Sequence, residues 1–112
     1  MEMELKEVEG IAVIHIQGEL DALSAPDLTR FFETRVVDKY QKLVADLQGL
    51  TYSSSAGIRV FLGLARSARQ KGGDLRIAAV QPRVEKVFKL SKFDRIVKVY
   101  PGIEDAVNSY MD

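Results

Sequence analysis

Lys42-Leu43-Val44-Ala45-Asp46-Leu47-Gln48-Gly49-Leu50-Thr51-Tyr52-Ser53-Ser54-Ser55-Ala56-Gly57-Ile58-Arg59-Val60-Phe61-Leu62 carries the pattern that decides the fold. Lys42 to Leu47 is a short, mostly apolar run of the kind that builds a largely buried strand. Gly49 and the serines Ser53, Ser54 and Ser55 then interrupt it, because glycine and serine favour turns and caps. From Ile58 the period changes. Ile58, Phe61, Leu62 and Ala65 fall at i, i+3, i+4 and i+7, one apolar stripe along a helix. Gly72-Gly73 supplies its C-terminal stop.

The same alternation extends in both directions. Met3 to Val8 and Ile11 to Ile16 read as two strands joined at Glu9-Gly10, an antiparallel hairpin. Gly18-Glu19-Leu20-Asp21 is expected to leave the second strand. Ser24 stands as a helix N-cap with Pro26 and Asp27 in the first turn, and Leu23 and Leu28 have the spacing of a hydrophobic staple. This helix is expected to reach about Tyr40, burying Leu28, Phe31, Phe32 and Val36. Beyond Gly73, Leu75 to Val80 reads as a buried strand, and Pro82 opens a helix carrying Val84, Val87, Phe88 and Leu90. Ile96 to Tyr100 is a short last strand, and a terminal helix presents Ile103, Ala106, Val107 and Tyr110.

The predicted order is β-β-α-β-α-β-α-β-α. It implies an α/β fold with a mixed, mostly parallel sheet of about five strands, opened by an antiparallel hairpin and accompanied by four helices with right-handed crossovers. Residues 1–112 suit a single domain. In such sheets, loops at the carboxyl ends of the parallel strands collect functional groups. Here those loops hold Asp21 and Ser53 to Ser55.

Composition narrows the function classes. Sixteen basic and sixteen acidic residues cancel, so the excess of positive charge that nucleic-acid binders use to neutralise phosphates is missing. The absence of cysteine excludes disulfides and thiolate metal sites and suits a reducing compartment. Met1-Glu2-Met3-Glu4 lacks the apolar run of a signal peptide, and no apolar stretch is long enough to span a membrane, so a cytoplasmic location is expected. A monomer is the default for a small neutral domain.

Gly18-Glu19-Leu20-Asp21, the segment Asp46 to Ile58, Gly72-Gly73 and Gln81-Pro82-Arg83-Val84-Glu85-Lys86-Val87-Phe88 together resemble, in order and spacing, the STAS-domain anti-sigma factor antagonists. The resemblance covers essentially the whole chain and implies the STAS fold. It also implies a phosphoacceptor serine two residues before the motif glycine, which is Ser55 before Gly57, with Ser54 as the fallback. The sequence departs from the family at two neighbours: Ser54 stands where an acid is usual, and Ala56 where a hydroxyl is usual. The implied cycle has the unphosphorylated chain bind an anti-sigma factor that is itself a serine kinase, releasing the sigma factor. Phosphorylation then ends binding, and a serine phosphatase resets it. ATP belongs to the kinase, since this chain has no Gly-rich phosphate loop followed by Lys and Ser/Thr. No cofactor, metal or catalytic residue is expected, and Asp21, Ser54, Gly57, Ile58 and Arg59 are the candidate partner-binding residues.

Other readings compete at particular residues. Asp21 either orients the Ser55 hydroxyl and touches the kinase, or only caps the turn before the first helix. A lone His15 between Ile14 and Ile16 suits a half-exposed structural residue, and without a Gly-x-Ser-x-Gly elbow a Ser-His-Asp hydrolase is a poor reading. Asp46 is read as a turn-forming residue that ends its strand. Arg66, Arg69 and Lys71 are expected on the solvated face of the second helix. The alternative function is a STAS module that is never phosphorylated and serves as scaffold, sensor subunit or transport accessory, and Ser54 is the residue that favours it.

Overall fold

A computed structural model of the protein describes residues 1–111. Strands β1 (Glu2–Val8) and β2 (Ile11–Leu20) form the predicted hairpin, with Val8 opposite Ile11. Glu9 and Gly10 both have positive φ, 52° and 82°, which is the type I′ turn whose twist matches that of the flanking strands. Helix α1 (Ala25–Arg35), β3 (Lys42–Ser53), α2 (Ser55–Gln70), β4 (Asp74–Ala78), α3 (Pro82–Leu90), β5 (Val99–Tyr100) and α4 (Ile103–Asn108) follow. The sheet order is β1-β2-β3-β4-β5, antiparallel between β1 and β2 and parallel elsewhere. The architecture is the α/β fold expected from the sequence, including the five-stranded mixed sheet and four helices.

Several boundaries differ. β2 continues through Gly18, Glu19 and Leu20 instead of ending before them, and β3 runs to Ser53 instead of stopping at Leu47. The two extensions pair with each other: Gln17 opposes Gly49, Gly18 opposes Leu50, and Leu20 opposes Ser53. Register shifts between His15 and Gln17 and between Gly18 and Glu19 absorb the irregularity, and Gly18 takes a φ of 108° there. Glycines that read as breaks are bulge positions within the ladder.

Helix α1 stops at Arg35, not near Tyr40, and Val36 leaves helical geometry while remaining buried. The β-branched pair Val36-Val37 is a poor place to prolong a helix. Leu23 is 90% exposed, so it forms no staple with Leu28. β4 ends two residues early because Ala79 adopts a φ of 59°. The last strand shrinks to Val99–Tyr100, and a 3-10 turn at Phe93–Arg95 precedes it. Phe93 packs there against Phe88, ring centroids 4.5 Å apart, and against Phe61. Leu90 lies outside the core at 79% exposure.

The sheet has two unlike faces. Ile14, Ile16, Ala45, Leu47, Leu75 and Ile77 share one core with Leu28 and Phe32 of α1, Phe61 of α2 and Phe88 of α3. Ile11, Val13, Val44 and Ala78 face the other way, onto Ala106 and Val107 of α4. Strand alternation divides the side chains, so each of β2, β3 and β4 feeds both cores. In α2 the buried set is Gly57, Ile58, Phe61, Leu64, Ala65 and Ala68, a broader face than the predicted stripe, and Leu62 is only partly covered.

Candidate functional site

The extended ends of β2 and β3 determine where α2 begins. Leu20 and Ser53 pair at the last rung, and the next amide, Ser54 N–H, donates to the Leu20 carbonyl at 2.8 Å. Helix α2 therefore starts at the carboxyl edge of the sheet, beside the loop that contains Asp21.

This junction gives the three serines different environments. Ser53 is 2% exposed, and its hydroxyl donates to the Ser54 carbonyl at 3.2 Å. Ser54 is the N-cap, with extended backbone, and its Oγ accepts from Gly57 N–H at 3.4 Å. Ser55 is the first helical residue and is exposed, and among the described residues its hydroxyl has no hydrogen-bond partner. Gly57 is buried under the strand ends. A Cβ there would lie 2.7 Å from Leu20 Cγ and 2.7 Å from Ser53 Oγ, so only glycine lets the helix start this close to the sheet. Ile58, also buried, anchors the first turn in the core, and Arg59 is exposed.

Asp21 organises the neighbouring loop. Its Oδ1 accepts from the amides of Leu23 and Ser24, both at 3.0 Å, and lies 3.1 Å from Ser24 Oγ. Asp21 N–H in turn donates to Ser24 Oγ at 2.9 Å, and Ser24 Oγ donates to the Glu19 carbonyl at 2.9 Å. The Ser24 amide is the foremost cause that holds the Asp21 carboxyl below its ordinary range, because bonds to the ionised form favour that form. Ser24 sits at the N-cap position without a side-chain cap bond of its own. Asp21 closes the turn before α1, which is the simpler of its two readings, and no hydrogen bond joins it to Ser55.

The charge of α2 is one-sided. Helix α2 contains Arg59, Arg66 and Arg69 and no acidic residue. Arg69 is engaged, donating to Asp74 at 2.8 Å and to the Ile96 carbonyl. Arg66, Arg69 and Lys71 are exposed, as expected of the solvated face, and so is Arg59. Tyr52, at the end of β3, and Leu23 add exposed apolar surface beside the junction.

His15 and Asp46 lie elsewhere. They are cross-strand partners on the sheet face shared with Val13 and Val44, and His15 Nδ1 is 2.6 Å from Asp46 Oδ2. Asp46 is thus no strand terminus: it is buried in mid-β3, and its Oδ1 also accepts from Gln48 N–H at 3.0 Å. The sequence reading missed this pair. Matching parity in adjacent strands, Val13/His15 and Val44/Asp46, was the available signal, but it becomes readable only once the register is known. Among the described residues no helix is long and apolar enough to cross a membrane.

Residues 2–106 match the family model described as the STAS domain, and the chain belongs to that family. Among its relatives is BtrV of Bordetella bronchiseptica, by name a candidate anti-sigma factor antagonist, 31% identical over 98% of this chain and 95% of the relative. A crystal structure of an anti-sigma factor antagonist from Mycobacterium paratuberculosis superimposes with a TM-score of 0.86, at 25% identity over 99% of this chain and 94% of that one. SpoIIAA, called a Bacillus cell fate determinant and an anti-sigma factor antagonist, has the same fold in both of its forms. The unphosphorylated form gives a TM-score of 0.81 at 22% identity over 96% of this chain and 95% of that one. The phosphorylated form gives 0.72 at 20% identity over 96% and 98%.

Proposed function

We propose that this protein is an anti-sigma factor antagonist, switched off by phosphorylation of Ser55. Unphosphorylated, it binds an anti-sigma factor serine kinase and frees the sigma factor, in the cytoplasm and as a monomer. A serine phosphatase restores the hydroxyl. The observation that carries this reading is the division of labour among the serines: Ser53 is buried, Ser54 is spent on the cap, and Ser55 is exposed and unbonded. The relatives named as antagonists, and a fold neighbour that exists in both phosphorylation states, support it.

The chain supplies the nucleophile and the kinase supplies the rest. A bond forms between Ser55 Oγ and the γ-phosphorus of ATP, the bond to the bridging oxygen breaks, ADP leaves, and the hydroxyl proton passes to a base or water. The product carries about −1.5 to −2 charges where a neutral hydroxyl had been. A charge of that size without a partner in an interface costs ~2–5 kcal/mol. At about 1.4 kcal/mol per tenfold, this weakens binding from roughly thirtyfold to several thousandfold. The fold need not change, because the acceptor projects from the surface.

Intact-mass measurement after incubation with the cognate anti-sigma kinase and ATP tests the assignment. One added phosphate is expected in the wild type and in Ser54→Ala, and none in Ser55→Ala. Retention of the added mass in Ser55→Ala would move the acceptor elsewhere. An unmodified wild type would leave the scaffold reading, which the neutral Ser54 at the usual acid's place favours.

A further inference from the structure

We infer that Arg59 senses the state of Ser55: it is available to an acidic group of the kinase while Ser55 is a hydroxyl, and it is captured by the phosphate once Ser55 is modified. The inference rests on the proposed phosphorylation and adds to it a residue through which the added charge acts. Ser55 is the first residue of α2 and Arg59 is four residues on, so the two side chains leave the same face one turn apart. Both are exposed, and Arg59 has no ion pair among the described residues, whereas Arg69 on the same helix is held by Asp74. The order, anion before cation at i,i+4, is the favourable one on a helix. A guanidinium presents a planar fork of donors that fits phosphate oxygens two at a time.

The partner's chemistry follows from the charge of the same helix. Arg59 is the one charged residue in the first two turns of α2, Ser55 to Leu62, so the helix offers a cation to whatever docks at Ser55, and an acidic patch is its complement. Phosphorylation would then weaken binding twice over. It places an anion opposite the acidic patch, and it withdraws the arginine nearest to it.

The test needs no kinase in its first arm. Phosphoserine is installed at position 55 by chemical ligation or genetic encoding, and its second ionisation, ordinarily near pH 6, is followed by phosphorus NMR at low salt. In the otherwise wild-type chain it is expected about 0.3 of a pH unit lower than in Arg59→Gln, the size of a surface i,i+4 pair. The backbone amides at the start of α2 are common to both proteins and cancel. Arg66→Gln, with its charge further along α2, should titrate like the wild type. Identical titration in wild type and Arg59→Gln, or an equal displacement in Arg66→Gln, would overturn the pairing.

In the second arm, the affinity of the hydroxyl form for the kinase is compared with that of the phosphoserine form. The ratio should shrink about twofold in Arg59→Gln, since the phosphoserine form must give up the i,i+4 pair before Arg59 can reach the kinase, whereas the hydroxyl form has no such pair to break. An unchanged ratio would remove Arg59 from the switch. If the encoded phosphate titrates as expected and no kinase modifies Ser55, the functional reading fails and the pairing stands; the converse result separates them the other way.

Discussion

A methyl group at Gly57 has nowhere to go: Leu20 and Ser53 already occupy the space at 2.7 Å. Gly57→Ala is therefore expected to destabilise the protein by about 1–3 kcal/mol, the usual cost of overpacking a close contact. Six residues along the same helix, Gly63 faces open space, and Gly63→Ala should stabilise by roughly 0.5–1 kcal/mol through helix propensity alone. Urea unfolding of the two variants checks both signs, and equal effects would contradict the packing argument. Asp21 gives a pH-dependent counterpart. Its folded carboxyl titrates below the ordinary value, so its stabilising contribution is complete above the unfolded value of about 3.9 and fades as pH falls through the folded one. Asp21→Asn should lower the melting temperature at pH 7, and the gap to wild type should narrow below about pH 4. A gap that stays constant down to pH 2 would assign the effect to something other than the carboxylate.

The last element illustrates how a short helix is held in place. Helix α4 has only six residues, too few to be stable on propensity. Just past it, the Tyr110 hydroxyl lies 2.8 Å from the carbonyl oxygens of both Leu43 and Asp74, its one proton shared between the starts of β3 and β4. The Arg76 guanidinium sits 3.9 Å above the Tyr110 ring, and Arg76 also donates to Ser109 Oγ at 2.6 Å. Burial, and then the Asp74 charge, push the phenol well above its normal ionisation range, so it stays a neutral donor. Tyr110→Phe keeps the ring and removes the donor. It is expected to cost ~1–2 kcal/mol, with faster amide exchange confined to α4 and the starts of β3 and β4. A loss spread evenly over the sheet would show that the hydroxyl is not a local clamp.

At the scale of the whole molecule, the arrangement of elements was legible because each long segment carries one clear period. The 3.6-residue stripe from Ile58 and the alternating or apolar runs of β1, β2 and β4 are local properties, readable without knowing any partner. The failures lie where neighbours decide. Gly18 and Gly49 read as breaks, yet β2 and β3 run through them, since pairing one irregular strand with another satisfies the backbone that each alone would leave open. His15 and Asp46 became a pair only through the register of those strands. The site divides in the same way. By itself the sequence determined the class of fold, the neutral charge balance and a run of three serines at the mouth of a helix, because composition and periodicity are written one residue at a time. Only the tertiary structure decided that Ser53 is buried, that Ser54 serves as the cap and that Ser55 faces solvent. Three identical side chains differ solely in what surrounds them, and those surroundings come from Leu20 and Gly57, residues brought together by the sheet edge.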